Sequence, residues 1–264
     1  MLPWMPDFIG AGLSNGFSLN ISTNGSMPVV LQRFHGTTKE RFNIGVSIEG
    51  STPEKHNRLT GSNNFASALE SIKSLVASGL DPIVKTVLSQ DTAGDIQSIV
   101  DLIKDLGVHR YYIIHMDALS KNETLIGKTI AYAGFLNFYS RIKDENPDIG
   151  IHRVNASCFD KNSLPPGVRC AGGVRKLSIM PDGAVFPCNL FHNLKEFEVG
   201  NIYRDRLSDI WEHPRLGLFR VHKQNRCAIA RCGNRPSCTG GCPAHGYYHY
   251  RDTEMSDIRC LRAG

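Results

Sequence analysis

The chain lacks any apolar run long enough to cross a bilayer. Its best stretch, residues 125–139, is interrupted by Lys128 and Asn137, and a spanning helix needs roughly 20 apolar residues. The opening Met-Leu-Pro-Trp-Met-Pro-Asp has no basic group and two prolines, so no secretory signal is expected and the chain is expected in the cytoplasm. Basic residues are dispersed: 30 Lys and Arg against 25 Asp and Glu give a net charge of +5, with no basic run and no aromatic interleaving. Nucleic acid and membrane are therefore not expected as partners. No phosphate-cradling loop, Ser/His/Asp order or paired carboxylate motif stands out. Most informative, no cysteine precedes Cys158, which excludes a thiolate metal site from the first half of the 264 residues.

What is present in that half is alternation. Residues 17–23, 42–48, 82–88, 110–116 and 149–154 read as strands. Residues 65–78, 95–106 and 124–143 have helical spacing, the first two stopped at Gly79 and Gly107 and the third at Asn146-Pro147. Strands alternating with helices through short Gly-marked connections imply a parallel α/β sheet or part of a β/α barrel. The apolar strands suggest cover on both faces. Four or five strands are too few for a closed eight-stranded barrel. The texture changes near residue 156, which suggests one domain over 1–156 and a second over 157–264.

In the second part, seven of the eight cysteines follow in order: Cys170, Cys188, Cys227, Cys232, Cys238, Cys242 and Cys260. Residues 174–179 and 184–186 flank Pro181-Asp182-Gly183, which has the chemistry of a tight turn, so a hairpin should carry Cys170 toward Cys188. Short helices are expected at 207–212 and 214–222. Residues 227–260 are poor in core-forming side chains and need a metal to order them. A reducing compartment disfavours disulfides, and soft thiolates suit iron–sulfur clusters. Tetrahedral zinc, with His245 or His249 as a further ligand, is the alternative. Cys158 reads as a buried inert thiol or as a fourth ligand.

These residues resemble the radical SAM enzymes that carry a C-terminal SPASM domain. The likeness rests on Cys170, Gly183-AVFP-Cys188, the run Cys227 to Cys242, and Cys260. It extends to Val199-Gly200-Asn201-Ile202 and Leu207-Ser208-Asp209-Ile210-Trp211. In the first half it rests on Ile21-Ser22-Thr23-Asn24-Gly25, Val46-Ser47-Ile48-Glu49-Gly50 and His56. It implies a partial β/α barrel followed by a small Cys-rich domain with one or two auxiliary [4Fe–4S] clusters. Cys170, Cys188 and Cys242 would hold one, and Cys227, Cys232, Cys238 and Cys260 the other. It also implies S-adenosylmethionine near Thr23, Asn24, Ser47, Glu49 and Arg58, at strand ends that face such a site. Three features depart from the family. Its CxxxCxxC motif is absent, as if the chain began beyond the first strands. Cys227 and Cys232 are separated by four residues where two are usual. Where the family often has His-Asp-x-x-Arg-Gly, this chain reads His56-Asn57-Arg58-Leu59-Thr60-Gly61.

The resemblance implies radical-based modification of a ribosomally made peptide or a protein, with a reductant such as ferredoxin or flavodoxin. The chain alone is not expected to cleave S-adenosylmethionine, because it lacks the core-cluster ligands. Asn189 stands where sulfatase-maturing relatives place a catalytic Asp, and an amide is no base at neutral pH. The rival expectations are a non-catalytic iron–sulfur module for electron transfer or peptide docking, and a zinc-stabilised interaction domain. Residues 17–23 are expected to form an unpaired apolar edge that promotes aggregation.

Overall fold

Strand burial alternates in a single phase across the first half of the chain, and that phase decides the architecture. The computed structural model describes residues 4–27, 41–119, 122–154, 168–220 and 240–261, with the side chains of 260 and 261 left aside. It divides into two compact units, one of residues 1–116 and 133–154, the other of 117–132 and 155–264.

In the first unit, β1 (Leu19–Thr23), β2 (Phe42–Ser47), β3 (Ile83–Leu88), β4 (Arg110–His115) and β5 (Gly150–Val154) form one parallel sheet in sequential order. No strand order is reversed, so the sheet is a singly wound arc of β/α units. Register partners share a face. Ile44, Val46, Val84, Thr86, Leu88, Tyr111, Ile113 and Ile151 are buried on one face. The other presents Asn20, Ser22, Asn43, Ser47, Lys85, Tyr112 and His152, all exposed or half-buried. One face is uniformly buried, and the other is mixed, since buried Ile83 and half-buried Val87 and Ile114 share it with these polar residues, so the strands are less continuously apolar than expected. Branched residues spaced two apart supply much of the buried face, and the positions between hold both polar and apolar side chains.

The helices α1 (Met5–Ser14), α2 (Pro53–Thr60), α3 (Phe65–Ala77), α4 (Ile96–Asp105) and α6 (Tyr132–Glu145) accompany the sheet, α6 entering from a segment of the second unit that carries α5 (Glu123–Gly127). The single helix expected over 124–143 is thus two. Lys128 N–H and Thr129 N–H donate three residues back, to Leu125 O and Ile126 O, and Thr129 Oγ1 donates to Ile126 O at 2.7 Å, ending the α-pattern. Two helices gave weaker sequence signals. Pro6 sits in the first turn of α1, and Pro53 opens α2 behind Thr52, whose side chain accepts from Lys55 N–H. Proline is tolerated there because first-turn amides have no helical partner.

The second unit is loop-rich. β6 (Ser178–Ile179), β7 (Ala184–Phe186) and β8 (Gly200–Asn201) form an antiparallel sheet, turned at Gly183 with φ +81°. The expected first arm, 174–179, is mostly a turn: Val174, Arg175 and Lys176 all donate to Ala171 O. Short helices α7 (Leu207–Trp211), α8 (Gly217–Arg220), α9 (Pro243–Tyr250) and α10 (Ile258–Leu261) follow. Its core gathers Phe186, Phe191, Phe197 and Phe219 with Cys188, Cys242 and Ala244, and Cys170 packs against it.

Candidate metal centre

Three cysteines from distant points in the sequence meet in this core. Gly173 N–H donates to Pro187 O at 3.0 Å, which ties the segment after Cys170 to the residue before Cys188. A Cβ at Gly172 would lie 3.2 Å from Cys188 Cβ and 3.7 Å from Cys170 Sγ, so glycine keeps the backbone against both cysteines. Cys242 arrives on another turn, where Gly240 and Gly241 adopt φ of +99° and +74°, a region open to glycine. It occupies the N-cap position of α9, with no capping bond from its side chain.

The sulfur environment suits metal-bound thiolates. Gly172 N–H points at Cys170 Sγ at 3.4 Å and Leu190 N–H at Cys188 Sγ at 3.3 Å. Such amide–sulfur bonds stabilise charge on sulfur and tune cluster potentials. Burial pushes the Cys188 thiol up to about 12, the Leu190 amide offsetting part of that and the neighbouring Cys242 and Cys170 adding to it. With no cation the thiol stays protonated, and a metal would displace that proton. No three His, Cys, Asp or Glu side chains converge on a single-ion site among the described residues. A multi-iron cluster, whose thiolates bind different irons, does not require that convergence. Of the other expected ligands, Cys227, Cys232 and Cys238 lie outside the described residues, as does Cys158, and Cys260 falls in α10.

Around Cys242 lies a charged network that composition did not announce. Asp257, Arg259 and His245 are all buried. Arg259 Nη2 is 2.6 Å from Asp257 Oδ2, its Nη1 reaches Asp117, and His245 Nε2 is 3.0 Å from Asp117 Oδ1. Burial opposes the Asp257 charge, but the Arg259 hydrogen bonds and charge outweigh it and hold the carboxyl down at about 2. His245 is likewise disfavoured by burial as a cation and raised above its usual range by Asp117 and Asp257. Its Nε2 is committed to Asp117, which argues against the expectation of His245 as a zinc ligand through that atom.

In the first unit, Glu49 N–H donates to His56 Nδ1 at 3.1 Å, which leaves Nε2–H to donate to Asn64 Oδ1 at 3.1 Å. Asn64 Nδ2 then donates to Asn24 O at 2.8 Å. A buried histidine thereby joins the ends of β1 and β2, where Asn24 and Glu49 sit. Glu49 Oε2 accepts from Val87 N–H at 2.9 Å, and burial raises its carboxyl to about 7, partly offset by that bond. Thr23 Oγ1 accepts from Gly25 N–H at 3.1 Å, and Ser47 is half-buried on the mixed face. Arg58 stands apart, exposed on α2 with no hydrogen bond or ion pair among the described residues. Asn57 Oδ1 accepts from Asn64 and Phe65 N–H, each at 3.2 Å, and so caps α3.

Sequence reasoning missed Asp95, Lys85, Arg169 and Asp257. Asp95 accepts from Ser51 N–H and Oγ and pairs with Lys55, pinning the loop after Glu49. Lys85 Nζ donates to Ser22 Oγ at 2.8 Å above Gly45, where any Cβ would strike its Cε. Asp95, Lys85 and Arg169 carry no motif because their partners lie far along the chain, and Asp257 none because its burial beside Arg259 and Cys242 is set only by the fold.

The first unit is thus a singly wound arc of β/α units, and the second is a small unit that collects buried thiols. Residues 170–239 match SPASM, an iron-sulfur cluster-binding domain. The chain is similar to the antilisterial bacteriocin subtilosin biosynthesis protein AlbA of Bacillus subtilis, at 24% identity over 80% of this chain and 45% of the relative. It is similar to the mycofactocin maturase MftC of Mycobacterium ulcerans, at 22% identity over 97% of this chain and 72% of that protein. Its fold matches Streptococcus suis SuiB, solved with its precursor peptide SuiA, at TM-score 0.77 and 15% identity over 96% of this chain and 61% of that one. It also matches anSMEcpe, solved with AdoMet, at TM-score 0.69 and 14% identity, over 99% and 73%. Over residues 170–239 the chain thus carries a SPASM-type domain, and over most of its length it is similar to these proteins. It spans about half the length of AlbA and three fifths of SuiB.

Proposed function

We propose that this chain serves radical-based modification of a ribosomally made peptide or a protein, and that its second unit holds auxiliary [4Fe–4S] clusters. Cys170, Cys188 and Cys242 are the protein ligands of one. Cys227, Cys232, Cys238 and Cys260 are assigned to the other by the family pattern. The observation that carries this reading is the gathering of three thiols in one aromatic core, two of them accepting backbone N–H bonds. A cluster bound there supplies one-electron transfer or an iron that anchors substrate. The chain's own part is to bury the ligands, exclude water with Phe191, Phe197 and Phe219, and release the thiol protons on loading. In the first unit, Thr23, Asn24, Ser47 and Glu49 lie at or just beyond the C-terminal ends of β1 and β2, where ligands of β/α folds bind. They are our candidates for the S-adenosylmethionine ribose, whereas the exposed Arg58 is a poorer candidate. A ferredoxin or flavodoxin would supply electrons.

Anaerobic reconstitution tests this. Iron and acid-labile sulfide should bind with absorbance near 400 nm, about where thiolate-to-iron charge transfer falls, and Cys188→Ala should reduce both. Uptake of zinc without sulfide would overturn it. The chain holds no cysteine before Cys158, so assayed by itself it should give no 5′-deoxyadenosine. The second reading, a non-catalytic cluster module, is favoured by Asn57. This residue replaces the family's Asp and is occupied in capping α3.

A further inference from the structure

Arg169 precedes Cys170 in sequence, and its guanidinium is spent elsewhere. Nε donates to Gly241 O at 2.8 Å, Nη2 donates to Gly240 O at 2.7 Å and Met255 O at 2.6 Å, and Nη1 donates to Thr253 O. One side chain thus spans three backbone segments. The first carries Cys170. The second is the glycine turn that delivers Cys242. The third is the loop leading to Cys260. Asp257 closes the frame: its Oδ2 accepts from Cys242 N–H at 3.0 Å, its Oδ1 accepts from Arg259 N–H at 3.0 Å, and its own N–H donates to Gly240 O at 2.9 Å. A Cβ at Gly241 would fall 2.4 Å from Asp257 Cβ, so the turn and the carboxylate are in direct packing contact.

We propose that Arg169 is a positioning residue for the cluster held by Cys170, Cys188 and Cys242, fixing the Cys170 and Cys242 segments relative to one another before any metal arrives. The inference rests on the functional reading above and deepens it. Arg169 and Gly241 lie 72 residues apart, so bringing their segments together carries a loop-closure entropy that a loaded cluster would otherwise have to offset alone. Four carbonyl acceptors match the several donors of a guanidinium's fixed fork, and a lysine ammonium, with three donors on one point of charge, cannot serve all four. Through Asp257 the same frame joins the Cys242 segment to the helix that carries Cys260.

The test compares the full chain with Arg169→Lys, Arg169→Gln and Cys170→Ala. In the metal-free state, a short bifunctional thiol reagent with peptide mapping reports how readily Cys170 joins Cys188 or Cys242. After anaerobic reconstitution, iron, sulfide and the electron paramagnetic resonance signal report loading. Both Arg169 variants are expected to cross-link several-fold less and to bind iron about 10- to 100-fold more weakly, as loss of ligand-orienting partners does elsewhere. Hydrogen exchange of the 184–186 strand should stay as in the parent. Wild-type cross-linking and loading in Arg169→Gln overturns the proposal, and so does full rescue by lysine, which would assign the effect to charge alone. Loss of strand protection in both variants also overturns it, since Arg169 would then serve folding. A parent chain that binds no iron but cross-links in an Arg169-dependent way upholds the frame and defeats the functional reading.

Discussion

Glu49 shows how one side chain can make stability depend on pH. Burial raises its carboxyl to about 7, so the folded state favours the neutral form. Its stabilising contribution is complete below the ordinary carboxylate range and is lost as pH rises through 7. The loss is at most about 3 kcal/mol, from a shift of roughly 2.5 units at 1.36 kcal/mol each. Thermal melts should therefore fall from pH 5 to pH 8 in the parent and flatten in Glu49→Gln, whose amide oxygen can still accept from Val87. An unchanged slope would mean that Glu49 ionises freely. Asp257 has the opposite sign. Its carboxyl is held down at about 2, so its contribution is present above the ordinary carboxylate range and disappears only as pH falls through 2. Asp257→Asn should cost about 3–5 kcal/mol, read by chemical denaturation, because it strands the buried Arg259 beside a neutral partner. Neither residue was conspicuous in the sequence as a titrating group. Glu49 was noticed for its place after a strand, and Asp257 was lost among other tail polar residues, since burial and partner are properties of the folded chain.

Among elements, regular ones were legible where their signals are local. Strands β1 to β5 and helices α3 and α4 fall within one or two residues of expectation, since two-residue alternation, helical spacing and a stopping glycine all act over a few positions. Gly79, at φ +70°, and Leu80 donate back to Val76 and Leu75 and end α3 as read. The 124–143 helix failed because Thr129 prefers its own backbone bond, and the 174–179 arm failed because Ala171 accepts three amides. The cap of α3 was also out of reach: the element begins at Asn64, but the capping side chain is Asn57, on the preceding helix. Asn57→Ala should lower stability by about 1 kcal/mol, the usual value of a lost cap, visible as a shift in denaturant midpoint with unchanged slope.

At the scale of the molecule, β1 is an edge strand that pairs with β2 alone among the described residues, and Phe17 beside it is 63% exposed. Such an edge is a template for another chain. Light scattering should show mass rising with concentration, and a monodisperse monomer throughout the range would contradict this. In the second unit, the described residues 240–261 are tied together and to the Cys170 segment by Arg169, Asp257 and Arg259. Chelation of reconstituted protein should therefore loosen the second unit by hydrogen exchange without unfolding it and leave β2 to β4 protected. The sequence by itself determined the α/β alternation, the cysteine order and with it the family resemblance, because these depend on spacing along the chain. Only the tertiary structure decided which sheet face is uniformly buried, which thiols meet and which side chains tie their segments together, because those depend on contacts between segments far apart along the chain.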